Sequence, residues 1–203
     1  MSNNFSLSSF PELETERLLL RETTLQDAEA IFAVFSDPGV TKFHDLDTFT
    51  SIKEAIAVIE RRAKRFEQGD AIRWGIVHKQ NNILIGSCGF RVNPQEHSAE
   101  VGYELASTFW RQGIMTEAVS TILQFGFQKM DLRFVVAQVM LENIASKKLL
   151  EKLGFHSQGV KKQNGFFKGQ YHDLEQFRFL ATFGDLGWGK PEGRGQKAEE
   201  RKE

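Results

Sequence analysis

The chain alternates between two hydrophobic periods, and the places where it switches mark most of its elements. Leu18 and Leu20 stand two apart within Glu16–Glu22, the spacing of a strand with one buried face. Thr24 and Asp27 then approximate a capping box. Ala28, Ile31, Val34 and Phe35 follow at intervals of three and four, which predicts a first helix ending before Pro38. Gly39–Phe49 keeps neither period; rich in aromatic and acidic residues, it reads as an irregular wall or lid over a pocket. Ser51 and Glu54 form a full capping box, and Ile52, Ala55, Ile56, Ile59 and Ala63 carry a second helix to about Gly69. Ile72–His78 and Ile83–Val92 return to strand spacing around Gln80-Asn81-Asn82, a hairpin.

The stretch Glu100–Ala118 compresses a strand, a sharp turn and the opening of a helix. Val101, Tyr103 and Leu105 alternate with Glu100, Gly102 and Glu104, so one set enters a core and the other faces away from it. Beyond Met115 the period lengthens, with Ala118, Ile122, Phe125 and Met130 at helical spacing. The turn between them holds Arg111, Gln112 and Gly113. Its backbone N–H groups run into a helix N-terminus, where orphan donors and the positive end of the dipole favour an anion such as phosphate. An ordinary strand-to-helix turn fits the same residues. Downstream, Arg133–Met140 is an apolar strand and Asn143–Leu153 a short helix closed by Gly154 as a left-handed cap. Phe155–Val160 and Phe167–Leu180 are the last strands, with a turn at Asn164-Gly165. About seven strands interleaved with about four helices make an α/β (α+β) layer structure. Residues 1–12 are expected to be flexible, 13–182 to form the domain, and 183–203, dotted with glycine and then mixed in charge, to be disordered.

Composition narrows the functional classes. With 203 residues, 40% apolar and 26% charged, the chain is sized for one globular domain with a core that needs no staples. A net charge of -1 gives no global pull toward nucleic acid or anionic membranes, so an anionic ligand requires a local site. Cys88 is the only cysteine, which excludes an intramolecular disulfide and suits a reducing interior. No sequence neighbour activates it as an acyl carrier, and a buried small hydrophobe is the simpler reading. Met1–Ser9 lacks the basic start and apolar stretch of a secretory leader, and no apolar run of about 18 residues exists to span a bilayer, so a cytoplasmic location is expected. The 18 phenylalanines are scattered at element spacing as core filler. The five histidines show no metal-ligand spacing, and neither a nucleophile elbow nor a Walker loop is present. Arg61, Arg62, Lys64 and Arg65 read as the outer face of the second helix, either solvated or a docking surface for acidic partners.

Set in its context, the turn reads Tyr103-x-Leu105-x(4)-Trp110-x-x-Gly113-x-x-Thr116-Glu117-Ala118. This resembles the acyl-CoA pyrophosphate loop of the GNAT superfamily of N-acetyltransferases, in the branch that acetylates ribosomal-protein N-termini. Three further stretches carry the resemblance: Thr15-Glu16-Arg17-Leu18-x-Leu20-Arg21, Asn143-x-x-Ser146 leading into Leu150-Glu151-Lys152-Leu153-Gly154-Phe155, and Tyr171-His172-Asp173. The resemblance implies a mixed sheet splayed between strands four and five, acetyl-CoA as co-substrate, and pantetheine held in the gap. It assigns the pyrophosphate to the loop Arg111, Gln112, Gly113, Ile114, Met115 and Thr116, and pantetheine to the exposed backbone of Leu105, Ala106 and Ser107 and to Asn143. Met115 is bulkier than the usual loop residue there, and is tolerated if it points into the core.

Acetyl transfer to an amine needs a grip on CoA, a neutral amine, a stabilised oxyanion and a proton for the leaving thiolate. An α-amino group of pKa about 8 is appreciably neutral near pH 7.5, whereas lysine at about 10.4 is not, so an N-terminal acceptor requires only a modest base. Glu100 is the first candidate base and Glu104 the second, each equally readable as an ordinary ion-paired carboxylate. Desolvation beside the apolar sheet would raise the pKa of whichever carboxylate serves. Ser146 and Tyr171 are the available hydroxyls; the resemblance brings Ser146 to the sulfur, while Tyr171 also reads as structural. Asn143 can equally be a helix cap. The expected partners are acetyl-CoA and a protein N-terminus, or a small amine (an amino acid, polyamine or aminoglycoside) in its place. Neither nucleic acid nor membrane is expected, and a homodimer is allowed. A catalytically silent CoA-binding module is the reading from another class.

Overall fold

The computed structural model describes Leu7 and residues 9–180. Eight strands form one sheet in the order β1-β2-β3-β4-β5-β6-β8-β7. They are β1 (Leu13–Glu14), β2 (Leu18–Arg21), β3 (Ala71–His78), β4 (Ile83–Asn93), β5 (Ser98–Leu105), β6 (Phe134–Met140), β7 (His156–Phe167) and β8 (Gln170–Leu180). Helices α1 (Ala28–Phe35), α2 (Pro38–Thr41) and α3 (Ile52–Glu67) lie between β2 and β3, α4 (Ile114–Lys129) between β5 and β6, and α5 (Ile144–Lys152) between β6 and β7.

Each neighbouring pair of strands is antiparallel except β5 and β6, which run parallel and pair only from Ser98–Phe134 to Glu100–Val136. Beyond Glu100, β5 stays with β4 as far as Leu105, and β6 stays with β8 as far as Met140. The sheet therefore opens into a V between the strands expected fourth and fifth from the sequence.

Two apolar clusters flank the sheet. One joins Trp74, Phe90 and Val101 to Ile114, Ile122 and Phe127 of α4; the other joins Ile31 and Phe35 of α1 to Val58 and Ile59 of α3. Cys88 is fully buried in the first, and burial pushes its thiol up to about 12, so it is an inert core residue as read.

Local chemistry sets the element boundaries. Ser51 and Glu54 close the capping box of α3, the Ser51 N–H donating to Glu54 Oε2 at 2.9 Å. Gly154 takes φ 87°, the left-handed position at the end of α5.

Two elements depart from the sequence reading. α1 ends before Pro38 as read, but Pro38 opens α2 at the start of the stretch read as irregular, capped by Asp37, whose Oδ1 accepts from the Gly39 N–H at 2.7 Å. The last hairpin turns at Lys168-Gly169, both at positive φ (52° and 74°) as a two-residue turn with primed twist requires. Asn164-Gly165 instead lies inside β7, where the register slips between Lys161 and Gly165. At the end of the leader, Phe10 packs its ring 4.9 Å from Phe66, and Trp74 Nε1 donates to the Pro11 carbonyl at 2.7 Å; residues 1–6 and Ser8 lie outside the described residues. The expected disorder of residues 183–203 lies outside the described residues.

Candidate active site

The V between β5 and β6 opens onto a cleft of about 580 Å³ lined by both strands, α3, the 43–46 segment and the β7–β8 hairpin. Loop 107–113 forms the first part of the site. Gly113 is the N-cap of α4 at φ 75° and supplies no side-chain cap, and Arg111 is also left-handed at φ 62°. The N–H groups of Ile114, Met115 and Thr116 precede the first turn's acceptors and have no partner within the helix, so the turn presents bare donors at the positive end of the dipole. Arg111, Gln112 and Gly113 are exposed, whereas Met115 is half-buried against the core, the orientation its bulk required.

The Thr15–Arg17 motif explains itself here. Thr15 Oγ1 donates to Glu117 Oε1 at 2.5 Å, Arg17 Nε donates to Glu117 Oε2 at 2.7 Å, and Arg17 Nη1 donates to the Gln112 carbonyl at 2.9 Å. The edge of β2 thus braces the loop through the first turn of α4. Sequence reasoning treated Thr15, Arg17 and Glu117 only as motif letters; a Thr-x-Arg and a Thr-Glu-Ala far apart in sequence gave no geometric signal of their pairing. Glu117→Ala, which frees both partners, is expected to cost about 1.5 kcal/mol, or roughly 3–6 °C in a thermal melt for a domain of this size. An unchanged melting temperature would show the brace to be dispensable.

Of the backbone expected to face pantetheine, part is already engaged. The Ala106 N–H donates to the Ile85 carbonyl at 2.8 Å, and Trp110 Nε1 donates to the Leu105 carbonyl at 2.8 Å. Since Ala106 turns its N–H to β4, alternation directs the peptide groups of Val101 and Tyr103, with the Leu105 N–H, into the V. The strand-like surface is therefore displaced toward 101–105.

Across the V, Asn143 caps α5, its Oδ1 accepting from the Ser146 N–H at 3.1 Å, so the capping reading holds. That cap fixes Ser146 in the first turn, where its Oγ sits 2.7 Å from the Tyr103 hydroxyl. The pair bridges the open strands, with both residues lining the cleft. Burial pushes Tyr103 up to about 12, with Ser146 opposing, so its hydroxyl stays protonated at neutral pH. Sequence alternation assigned Tyr103 to the core and missed its polar end.

Tyr171 is not brought to this group. It is 64% exposed near the hairpin tip, with its ring 4.9 Å from Phe166, and does not line the cleft. Its motif neighbours shape the hairpin: His172 stacks on Phe167 at 4.0 Å and Asp173 Oδ1 accepts from the Gln163 N–H at 2.8 Å. At the tip, Lys168 Nζ donates to the Thr41 carbonyl at 2.6 Å, anchoring the hairpin to α2.

On the opposite face of β5, the two candidate carboxylates have different surroundings. Glu100 stands where β5 and β6 part, ion-paired with the exposed Arg91, with Gln138 Nε2 3.5 Å from its Oε2. Glu104 is sealed in, its side chain 3% exposed. It accepts from Arg73, from Ser87 and, at 3.1 Å, from Arg62 Nη2, with His44 Nε2 3.8 Å away. Burial works to raise its pKa as expected, but Arg73, His44 and Arg62 reverse the sign and hold the carboxyl well below the usual range. Such a carboxylate accepts a proton poorly, which removes the reason for naming Glu104 as second base.

The basic run on α3 is also corrected. Arg62 points inward to Glu104, and Arg61 and Arg65 line the cleft.

A family model described as acetyltransferase (GNAT) domain matches residues 17–156. The uncharacterized N-acetyltransferase YoaA of Bacillus subtilis is 42% identical over 172 residues, covering 84% of this chain and 97% of that protein. The ribosomal protein uS5 alanine N-acetyltransferase of Escherichia coli is 27% identical over 109 residues, 53% of this chain and 56% of that protein. Among solved structures, the RimL ribosomal L7/L12 α-N-protein acetyltransferase superposes with a TM-score of 0.77 at 22% identity, over 85% of this chain and 95% of that one. The microcin C7 self-immunity acetyltransferase MccE, in complex with acetyl-CoA and AMP, does so at 0.76 and 20% identity, over 82% and 94%.

Proposed function

We propose, for a chain that belongs to the acetyltransferase (GNAT) family and is an N-acetyltransferase, that it transfers acetyl from acetyl-CoA to a protein N-terminal α-amine. The bare donors at Gly113–Thr116 suit the pyrophosphate, and the unpaired edge of β5 at 101–105 suits the amide-rich pantetheine arm. The names of the uS5 and L7/L12 enzymes support an N-terminal acceptor by analogy.

One observation carries the choice of an α-amine. Each carboxylate at the cleft is already engaged: Asp45 by His44, Glu100 by Arg91 and Glu104 by Arg62 and Arg73. None is poised to deprotonate a lysine of pKa about 10.4, but an α-amine of pKa about 8 needs little help. The surrounding arginines depress the acceptor's pKa further by disfavouring a second cation beside them. Glu100, at the fork, takes the residual proton directly or through water. The Ser146–Tyr103 pair, on the other face of β5, holds the proton that the leaving thiolate requires.

Steady-state kinetics on matched acceptors tests this. Peptides with a free N-terminus are expected to exceed Nα-blocked peptides carrying lysine, and to exceed polyamines and aminoglycosides, in kcat/KM. A blocked lysine peptide or a small amine as the better substrate would sink the reading. In the same assay Ser146→Ala is expected to lower kcat about tenfold, less than loss of a full general acid because the Tyr103 hydroxyl remains. The melting temperature should hold, since the Asn143 cap uses the Ser146 backbone.

A further inference from the structure

The acceptor half of the cleft is strongly one-signed. Arg61, Arg62 and Arg65 reach it from α3, Arg73 from β3 and Arg91 from β4. The carboxylates facing this group from the packed elements are Asp45, Glu100 and, beneath, Glu104. Glu104 is shared by Arg62 and Arg73, Glu100 by Arg91, and Asp45 by His44, 2.7 Å away. Among the described residues Arg61 and Arg65 have no carboxylate within ion-pair distance. Arg62 is half-satisfied: Nη2 holds Glu104, whereas Nη1 is buried and has no hydrogen-bond partner. Its side chain is only 12% exposed, so a guanidinium donor is withheld from water in a cleft built to admit a ligand. A buried unpaired donor is costly, and a partner that arrives with the substrate would satisfy it.

These arginines line the cleft rather than the helix start proposed for the CoA phosphates. They surround the face of β5 that carries Glu100 and Glu104, opposite the face where Tyr103 meets Ser146. We propose that the acceptor carries an anionic side chain within its first few residues and that Arg61, Arg62 and Arg65 bind it while the α-amine lies near Glu100. The proposal rests on the N-terminal reading above. It makes the arginine cluster both a selector of acidic N-termini and an electrostatic guide for them. An extended acceptor advances roughly 3.4 Å per residue, so side chains at positions two and three extend from an amine at the fork into the cleft that α3 also lines.

The test uses free N-terminal peptides that differ only by Glu against Gln at positions two and three. The Glu peptide is expected to show kcat/KM at least tenfold higher, and the ratio should fall toward one in Arg61→Gln/Arg65→Gln, while acetyl-CoA affinity and melting temperature stay unchanged. Equal rates on the two peptides with the wild-type enzyme would overturn the proposal, as would an undiminished ratio in the double variant. If no peptide turns over but small amines do, the N-terminal reading has failed instead. Aspartate against asparagine as acceptor then decides the anion question: a preference for aspartate that the double variant loses keeps the anion site, and equal rates end it.

Discussion

Replacing Glu104 by glutamine is expected to destabilise the protein by about 3–5 kcal/mol, a fall in melting temperature on the order of 10 °C. The carboxylate is buried beneath Arg62 and Arg73, with Ser87 and His44 completing the cage. An amide keeps the shape but removes the charge that offsets two guanidiniums, one of them nearly sealed from solvent. Burial already pulls Arg62 down to about 10 in spite of Glu104, and without that partner the pull is unopposed.

The pH dependence has a definite sign. Glu104 has a depressed pKa, so its contribution is complete above the unfolded value of about 4.3 and is lost as pH falls through the folded one. His44 shifts the other way: burial lowers it, but Asp45 and Glu104 together raise it, so its contribution is complete below about 6.5 and fades as pH rises past that value. Glu104→Gln should therefore flatten the acid limb of the stability curve and weaken the fade above pH 6.5. Denaturant melts across pH 3–9 would read both. Glu100→Gln supplies the contrast. Its partner Arg91 is 60% exposed, and such pairs contribute little to stability, so the melt should barely move. The loss should appear in kcat/KM, roughly a hundredfold. A stable but inactive Glu104→Gln beside an active Glu100→Gln would exchange the two roles.

The strands, the main helices and the turn into α4 were legible because each depends on local spacing. Alternation placed Val101 and Leu105 inward, and the Ser51–Glu54 box marked the start of α3 before any contact was known. Contacts across the sheet were not legible. Arg62 carries the same letter as Arg61 and Arg65, and only the packing of α3 against β3 shows that it reaches Glu104. Glu100 and Glu104 share a face by period, yet their chemistry is decided by β3 and β4, distant in sequence. Tyr103 was missed because alternation reports where a ring goes, and its hydroxyl extends beyond the ring to Ser146. Asn164-Gly165 misled for a related reason: the pair suits either a turn or a bulge, and the partner strand decides which.

Gly113→Glu is expected to weaken acetyl-CoA binding by at least about a hundredfold, through two effects that a second variant separates. The backbone at φ 75° penalises any Cβ by about 1–2 kcal/mol. Space is available, however: a Cβ there would meet only Arg17 Nη2, at 3.6 Å. Gly113→Ala carries that strain alone and should lose about tenfold or less. The carboxylate of Gly113→Glu does more, because the helix start and Arg17 attract it as they would a phosphate, so the site is filled from within and repels a second anion. Isothermal titration of acetyl-CoA into the three proteins discriminates the cases. A large loss for Glu and a small one for Ala fixes the phosphates at this helix start. Equal losses would mean that the loop's shape, rather than its field, holds the ligand, and no loss in either would move the phosphates away from α4. Failure of the folded wild type to bind at all would leave the cleft with its arginine cluster but without an acyl donor, and the fold would then be serving recognition rather than transfer.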